Sequence, residues 1–193
     1  MKKIDSLLLM QRSKRKLFSS QDIRSILNIR NDNTLYKITE GLIKGGILKK
    51  IAKGKYCLSF NKPDELQIAN FLYSPSYISF ESALNFYGIL IQASYPITSA
   101  TPLRAFRTTV DEREFTYSHL GPGLYFGYVK KNDIFIASPE KALADELYLA
   151  SKGIRNIDTT ELNLKVIDKK IFTSTVKRFG YRPLSDLIKR IKL

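Results

Sequence analysis

The sequence contains very few of the side chains that build disulfides and metal centres. Among 193 residues there are one cysteine, one histidine and no tryptophan. A single cysteine excludes a disulfide within the chain and any cysteine-cluster zinc site, so we interpret Cys57 as a small apolar packing residue. The only histidine, His119, lacks the companions that most zinc sites use, which favours a surface or structurally bonded histidine.

Long apolar runs are also missing. No window of about 20 residues is apolar enough to span a membrane, and the apolar run at 7–10 is too short for a signal peptide and leads into a basic stretch. We therefore expect a cytoplasmic protein without a membrane partner. Phosphate-binding glycine loops, dinucleotide fingerprints and a nucleophile with a spare histidine are lacking too, so neither an enzyme nor a cofactor is predicted.

Basic residues are concentrated at the two ends of the chain. Residues 1–60 carry 14 lysines and arginines against 4 acidic residues, residues 61–164 carry 9 against 12, and residues 165–193 carry 9 against 2. Solubility does not require such segregation, whereas phosphate binding does, because each neutralised phosphate releases counterions. The charge distribution indicates a nucleic acid as the partner.

The first 60 residues follow the order of a winged helix-turn-helix, and we predict such a domain there. Ser19 is placed to cap a first helix over 20–28, and Asn31 or Asp32 to cap a second helix that reaches about Lys44. A glycine pair then stops the second helix. Two β-prone runs around a lysine-rich turn follow and form the predicted wing.

The second helix is interpreted as the helix that reads the major groove of double-stranded DNA. Its apolar stripe faces inward, which leaves asparagine and threonine to contact base edges, while lysines on the helix and on the wing suit phosphates. The predicted DNA-binding residues are Asn31, Asn33, Thr34, Tyr36, Lys37 and Lys44 on the helix, and Lys49, Lys50, Lys53 and Lys55 on the wing. The alternative is a third helix of a bundle with solvated lysines.

A linker near 61–64 leads into a second predicted domain, residues 61–163. Helices are expected at 65–72, at 80–87 after a Ser79 cap, and from Pro139 to Leu149 after a Ser138 cap. Turn residues separate four strand-like runs, which predict a small, largely antiparallel sheet: 107–110, 114–118, 125–129 and 133–137. The predicted fold class is α+β, a winged helix-turn-helix followed by a mixed helix and antiparallel-sheet C-terminal domain.

Residues 164–193 are predicted to form a basic helical extension. Helical potential at 174–179 and 184–193 flanks Arg182-Pro183, and the second segment carries an apolar stripe of Leu184, Leu187, Ile188 and Ile191. We expect this stripe to dock on the core. A second phosphate-contacting surface, which would use bases such as Lys189, Arg190 and Lys192, is the alternative.

Three segments of the second domain carry a resemblance to a known family. They are YISFESAL at 77–84 with Tyr87-Gly88-Ile89, then ITSAT at 97–101, and SPEKALAD at 138–145. In this order they resemble the recurrent segments of the AbiEi family, the antitoxins and transcriptional regulators of type IV toxin–antitoxin systems. The resemblance covers roughly residues 4–150.

The resemblance implies a repressor that binds operator repeats in its own promoter through the winged module. It also implies that the C-terminal region counteracts a nucleotidyltransferase-like toxin without forming a stable complex with it. The matching residues are helix caps, a helix stop and apolar stripes, so no antitoxin residue is assigned. Glu81 and Glu140 are interpreted as first-turn carboxylates that favour helix formation.

Other function classes remain open from the sequence. A metal-dependent nuclease would use Asp133 with Glu140 and Lys141, or the acids Asp111, Glu112 and Glu114, although acidic clusters in loops are usually solvated turns. A one-component regulator would use the second domain to sense a ligand or to dimerise, with the aromatic run at 117–128 lining a pocket. RNA binding is disfavoured by the slight negative charge of the middle segment.

Overall fold

The computed structural model describes residues 3–91 and 95–190. The chain divides into two compact units, residues 1–72 and 73–193. Both units combine helices with a β-sheet, so the fold is mixed α+β, as predicted.

The described residues of unit 1, 3–72, form four helices and a small antiparallel sheet. Its elements are α1 (Lys3–Arg12), β1 (Leu17–Ser19), α2 (Ser20–Ile26), α3 (Asp32–Lys44), β2 (Leu48–Ala52), β3 (Lys55–Leu58) and α4 (Glu65–Leu72). The strand order is β1-β3-β2. Apolar side chains from the helices and the strands meet in one core, which includes Met10, Phe18, Ile23, Leu42, Leu48 and Leu58.

Side-chain caps explain where α2 and α3 begin. The Ser19 hydroxyl accepts a hydrogen bond from the Asp22 amide at 3.0 Å, and an Asp22 oxygen accepts one from the Ser19 amide at 2.8 Å. This reciprocal pair satisfies two amides that a helix start leaves free. The Asn31 side chain caps α3 in the same way, by accepting from the amides of Asn33 and Thr34. Both predicted caps are confirmed, and α2 ends two residues earlier than expected.

Three features of unit 1 differ from the sequence-based expectation. Helix α1 and strand β1 were not predicted, and β1 pairs with β3, so the expected two-stranded hairpin is part of a three-stranded sheet. Helix α4 lies in unit 1, although the sequence assigned it to the second domain. The β2–β3 turn itself is as predicted: Gly54 has a φ of +68°, a left-handed conformation that favours glycine.

In unit 2, the parts of the chain that the structure describes, 73–91 and 95–190, form a six-stranded sheet and four α-helices. Its strands are β4 (Tyr77–Ile78), β5 (Ile97–Thr101), β6 (Phe106–Val110), β7 (Arg113–His119), β8 (Tyr128–Lys131) and β9 (Ile134–Ala137), and its α-helices are α5 (Phe80–Phe86), α6 (Pro139–Ser151), α7 (Lys169–Phe179) and α8 (Arg182–Arg190). The strand order is β6-β7-β5-β4-β9-β8.

The prediction of a largely antiparallel sheet holds in part, because three of the five pairings among the described strands are antiparallel and two are parallel. Strand β5 pairs with β7, and β4 pairs with β9, in parallel. The two hairpins, β6–β7 and β8–β9, are antiparallel as expected. Turn residues signal hairpins locally, whereas the parallel pairings involve β4 and β5, which contact partners distant in sequence.

The chain before β8 also departs from the predicted strand at 125–129. Residues Pro122–Leu124 form a short 3-10 helix, and β8 begins only at Tyr128. Gly127 precedes it with a φ of +70°, and a Cβ there would lie 3.1 Å from Cγ of Lys141. Glycine at this position therefore allows the backbone to approach α6 closely.

The C-terminal helices dock on the second unit, as expected. Both α7 and α8 pack against α6, and Phe172, Phe179 and Leu184 are buried. Helix α7 starts at Lys169, earlier than predicted, because Asp168 caps it by accepting from the amides of Lys170 and Ile171. Ile191 and Lys192, which were part of the prediction for this tail, lie outside the described residues.

Candidate functional site

The outward face of α3 carries the residues of this helix that were predicted to bind DNA. Asn33, Thr34, Lys37 and Lys44 are exposed, and Tyr36 is 68% exposed. Asn31 is exposed as well, but its side chain is engaged in the helix cap. The structure thus leaves amide, hydroxyl, phenol and ammonium groups on one helix accessible to a ligand.

Arg24 fixes the turn between α2 and α3. One of its nitrogens donates to the carbonyl oxygen of Arg30 at 3.0 Å, and another forms an ion pair with Asp32, the first residue of α3. The Asp32 side chain is largely exposed, so this pair contributes little to stability. Its effect is to hold the start of α3 against the end of α2.

Lysines of the predicted wing fall into two groups. Lys50 and Lys53 are exposed, and Lys49 is half-buried. Lys55 is used inside the unit: its Nζ donates hydrogen bonds of 2.7 Å to the carbonyl oxygens of Phe71 and Leu72 at the end of α4. Burial lowers the pKa of Lys55. Its role as a helix C-terminal partner replaces the predicted phosphate contact.

A buried polar network connects the sheet of unit 2 to α6. Lys141 forms an ion pair with Asp145, one helical turn later, and both side chains are fully buried. The Nζ of Lys141 also donates to the Tyr77 hydroxyl at 2.9 Å, and this hydroxyl donates to Asp145 at 3.0 Å. Burial lowers the pKa of Lys141 and raises that of Asp145, while their mutual attraction opposes both shifts.

Ser79 belongs to this network instead of capping α5. It occupies the N-cap position, but its side chain makes no cap hydrogen bond and donates to Asp145 at 2.8 Å. The predicted Ser79 cap is therefore wrong, because the buried carboxylate takes the hydroxyl. The next residue, Phe80, has a φ of +58°, a strained conformation for a bulky side chain that its complete burial maintains.

A second cluster joins Glu81 of α5, Glu146 of α6 and Arg155 in the segment after α6. Arg155 forms an ion pair with Glu81, and its Nη1 lies 3.4 Å from Oε2 of Glu146. Burial raises the pKa of Glu146 to about 8, helped by the charge of Glu81 and opposed by Arg155. Burial therefore favours the protonated form of Glu146. The prediction that Glu81 acts only as a first-turn carboxylate omitted this ion pair.

The acids considered for a nuclease have other partners. Asp111 and Glu112 form the β6–β7 turn, and Asp133 lies in the β8–β9 turn, all with positive φ, as two-residue hairpin turns require. Glu114 pairs with Arg107, and Lys141 pairs with Asp145. Within residues 3–91 and 95–190, no group of three or more histidine, cysteine or acidic side chains is placed to hold a metal.

The remaining chemically distinctive residues have structural partners. His119 is exposed, and its Nδ1 lies 2.7 Å from the carbonyl oxygen of Leu103. Cys57 is buried. The aromatic run suggested as a pocket lining packs on itself and on Tyr77, since the ring centres of Tyr125 and Tyr128 lie 5.1 Å apart and that of Tyr77 lies 4.8 Å from that of Tyr128.

The outer face of α7 is strongly basic. Lys169, Lys170 and Lys177 are exposed and, with Thr173 and Ser174, line a shallow depression of about 400 Å³. Arg178 lies at the edge of this face, with its guanidinium 3.6 Å from the ring centre of Phe126. Docking of α7 on α6 thus leaves basic groups accessible.

Comparison of the sequence with models of known protein families gives no match, and comparison with curated proteins gives no significant match.

Several residues of these clusters were missed from the sequence. The i,i+4 spacing of Lys141 and Asp145 is a signal for an ion pair that pattern analysis could have used. Arg155 had no such signal, because it follows α6 in an irregular segment and pairs with Glu81, 74 residues away. The hydrogen bonds from Lys55 to the end of α4 were also missed, because they join residues 16 and 17 positions apart in different elements.

Proposed function

We propose that the chain is a DNA-binding transcriptional autorepressor whose unit 1 is a winged helix-turn-helix. The observation that carries the proposal is the exposed face of α3. Asn33, Thr34 and Lys37 are exposed on this helix, whose start is capped by Asn31. The hairpin of β2 and β3, with exposed Lys50 and Lys53, follows α3 in the order expected of a wing. Base edges would be read by α3 and phosphates by the lysines.

The proposal includes membership of the AbiEi family and an antitoxin role for unit 2. The support is the sequence resemblance, whose segments contribute Tyr77, Ser79, Lys141 and Asp145 to one buried network. Such burial gives those residues a structural role, so no antitoxin residue is assigned. Unit 2 would counteract a nucleotidyltransferase-like toxin without a stable complex, and the chain would act in the cytoplasm. Among the described helices, none is both long and apolar enough to cross a membrane.

The DNA-binding part is tested by competition shift assays with the full chain at two salt concentrations. The labelled probe is a duplex from the region upstream of the chain's own reading frame, and the competitors are an unrelated duplex and an RNA of matching length. We expect preference for the upstream duplex and weaker binding at high salt. Equal competition by the RNA contradicts the proposal.

The antitoxin part needs a separate experiment, co-expression with the neighbouring reading frame. We expect the neighbour alone to inhibit growth and this chain to relieve the inhibition. A neighbour that is harmless alone contradicts the toxin–antitoxin assignment while leaving repression untouched. A variant with alanine at Asn33, Thr34 and Lys37 separates the two activities, because it should lose repression and keep growth rescue.

A further inference from the structure

The outer face of α7 carries exposed lysines whose charge is not balanced locally. No ion pair involves Lys169, Lys170 or Lys177 within the part of the chain that the structure describes. The nearest acid in sequence, Asp168, caps the helix through the amides of Lys170 and Ile171. These ammonium groups therefore remain available to an external anion.

The shape of the face fits an extended anion better than a small one. Lys169 and Lys177 are eight residues apart on one helix, which corresponds to about 12 Å along the axis. A DNA duplex presents one phosphate charge per roughly 1.7 Å of its axis, so about seven charges pass along such a distance. The hydroxyls of Thr173 and Ser174 donate to carbonyl oxygens of Lys169 and Ile171, so the attraction comes from the lysines.

A membrane surface is a poorer partner for this helix. Helices that lie in a membrane interface insert an apolar face. The apolar side chains of α7, Phe172 and Phe179, are buried against the unit, and Ile171 is the one exposed large apolar residue among the residues of this helix.

We propose that the outer face of α7 binds the phosphate backbone of duplex DNA and so adds sequence-independent affinity to the chain. The inference rests on the proposed function, because the duplex is the partner assigned to unit 1. Phosphate contacts position a protein on DNA without reading bases. The face should therefore change affinity and salt dependence and leave sequence preference unchanged.

The test is a salt series of duplex binding by the full chain, with glutamine at Lys169, Lys170 and Lys177. Each lost phosphate contact lowers the slope of log affinity against log salt by about 0.9. Loss of three contacts therefore lowers the slope by about 2.7, and the parent should lose about 40-fold more affinity than the variant between 50 and 200 mM salt. The loss of affinity should be the same on the upstream duplex and on an unrelated one.

The matched control removes, from other parts of unit 2, three exposed positive charges that have no acidic partner among the described residues, with glutamine at Arg104, Lys131 and Lys152. This control variant should keep the salt slope of the parent chain. Folding of both variants is verified by thermal unfolding, which the triple change on α7 should not alter because the buried face of the helix is untouched.

Three results overturn the proposal. If the α7 variant keeps the salt slope of the parent chain, the proposed phosphate contact is excluded. If the control variant loses as much slope as the α7 variant, the effect arises from net charge alone. An equally reduced slope on an RNA duplex assigns the face to nucleic acids in general and not to DNA. Failure of the proposed function is distinguishable from these, because the parent chain would then show no preference for its upstream duplex.

Discussion

Lys55 donates a hydrogen bond of 2.7 Å to the carbonyl oxygen of Leu72, the last residue of α4. The same ammonium reaches the carbonyl oxygen of Phe71 and lies 5.4 Å from the centre of its ring. A cation at the C-terminus of a helix satisfies free carbonyls and complements the helix dipole. This contact ties the start of β3 to the end of α4 and explains why α4 belongs to unit 1.

Replacement of Lys55 by methionine should destabilise unit 1. It should not reduce the salt dependence of DNA binding, as the loss of a phosphate contact would. The variant keeps the apolar stem and loses the charge-assisted hydrogen bonds, at a cost of about 1–2 kcal/mol. Urea unfolding measures the loss, and the salt slope of duplex binding should stay at the parent value.

Lys53 offers the matched comparison, since it lies in the exposed turn two residues earlier. Lys53→Met should lower the salt slope by about 0.9 and leave the free energy of unfolding within about 0.5 kcal/mol of the parent. If Lys55→Met lowers the salt slope and Lys53→Met lowers the free energy of unfolding, the role assigned to Lys55 is wrong.

Substitutions on α3 should distinguish residues that contact DNA bases from residues that contact the phosphate backbone. Asn33→Ala and Thr34→Ala should reduce discrimination between the upstream duplex and single-base variants of it, by about 1–3 kcal/mol at the contacted base pairs. Lys37→Ala should weaken binding to every duplex by a similar factor. Binding to a panel of duplex variants measures both effects, and a uniform loss for Asn33→Ala argues against base contact.

Local signals in the sequence were sufficient to predict much of unit 1. The serine cap of α2 and the asparagine cap of α3 are determined by side chains within three residues, so both helix starts were predicted correctly. Strand β1 was missed because three residues carry too little pattern, and its pairing with β3 connects residues about 40 positions apart. Tertiary contact determines such an element.

In unit 2 too, local signals determine some features and contacts between distant residues determine others. Ser138 and Ser79 precede helices in similar sequence contexts, and both were predicted as caps. Ser138 accepts from the Lys141 amide as expected, whereas Ser79 donates to Asp145, 66 residues away. A nearby buried carboxylate decides between the two outcomes, and the sequence does not reveal that proximity. The proposed DNA-binding residues of α3 were predicted from helical periodicity, while the Arg155 cluster depended entirely on the folded chain.

Breaking the Lys141–Asp145 pair from one side should be costly. Asp145→Asn keeps an acceptor for Tyr77 and Ser79 but leaves the ammonium of Lys141 unpaired in the interior, which typically costs about 3–5 kcal/mol. Urea unfolding of the full chain should show this loss.

Addition of Lys141→Met to Asp145→Asn should recover most of the lost stability, because the unpaired charge is removed and a side chain of similar length fills its place. The double variant supplies the control for lost packing. If it is as unstable as the single variant, the cost does not arise from an uncompensated charge.

The stability of unit 2 should fall as pH rises towards 8, because of Glu146. Burial raises the pKa of this carboxyl to about 8 from its ordinary value of 4.5. Between these values the folded state binds more protons than the unfolded state, so the free energy of unfolding decreases with increasing pH, at most by about 1.4 kcal/mol per pH unit. The contribution is fully present below pH 4.5 and is lost as pH passes the folded-state pKa.

Glu146→Gln isolates this effect from the other ionisable groups, because glutamine imitates the protonated acid. The groups that face Glu146 are Glu81, Arg155 and Asp145, and the variant retains all three. Near pH 5 the parent and the variant should have similar stability, and near pH 8 the variant should be the more stable. Glu161→Gln, which removes an exposed carboxylate, serves as the control. A difference between the parent and Glu146→Gln that stays constant from pH 5 to pH 8 would falsify the assignment of a raised pKa to this buried side chain.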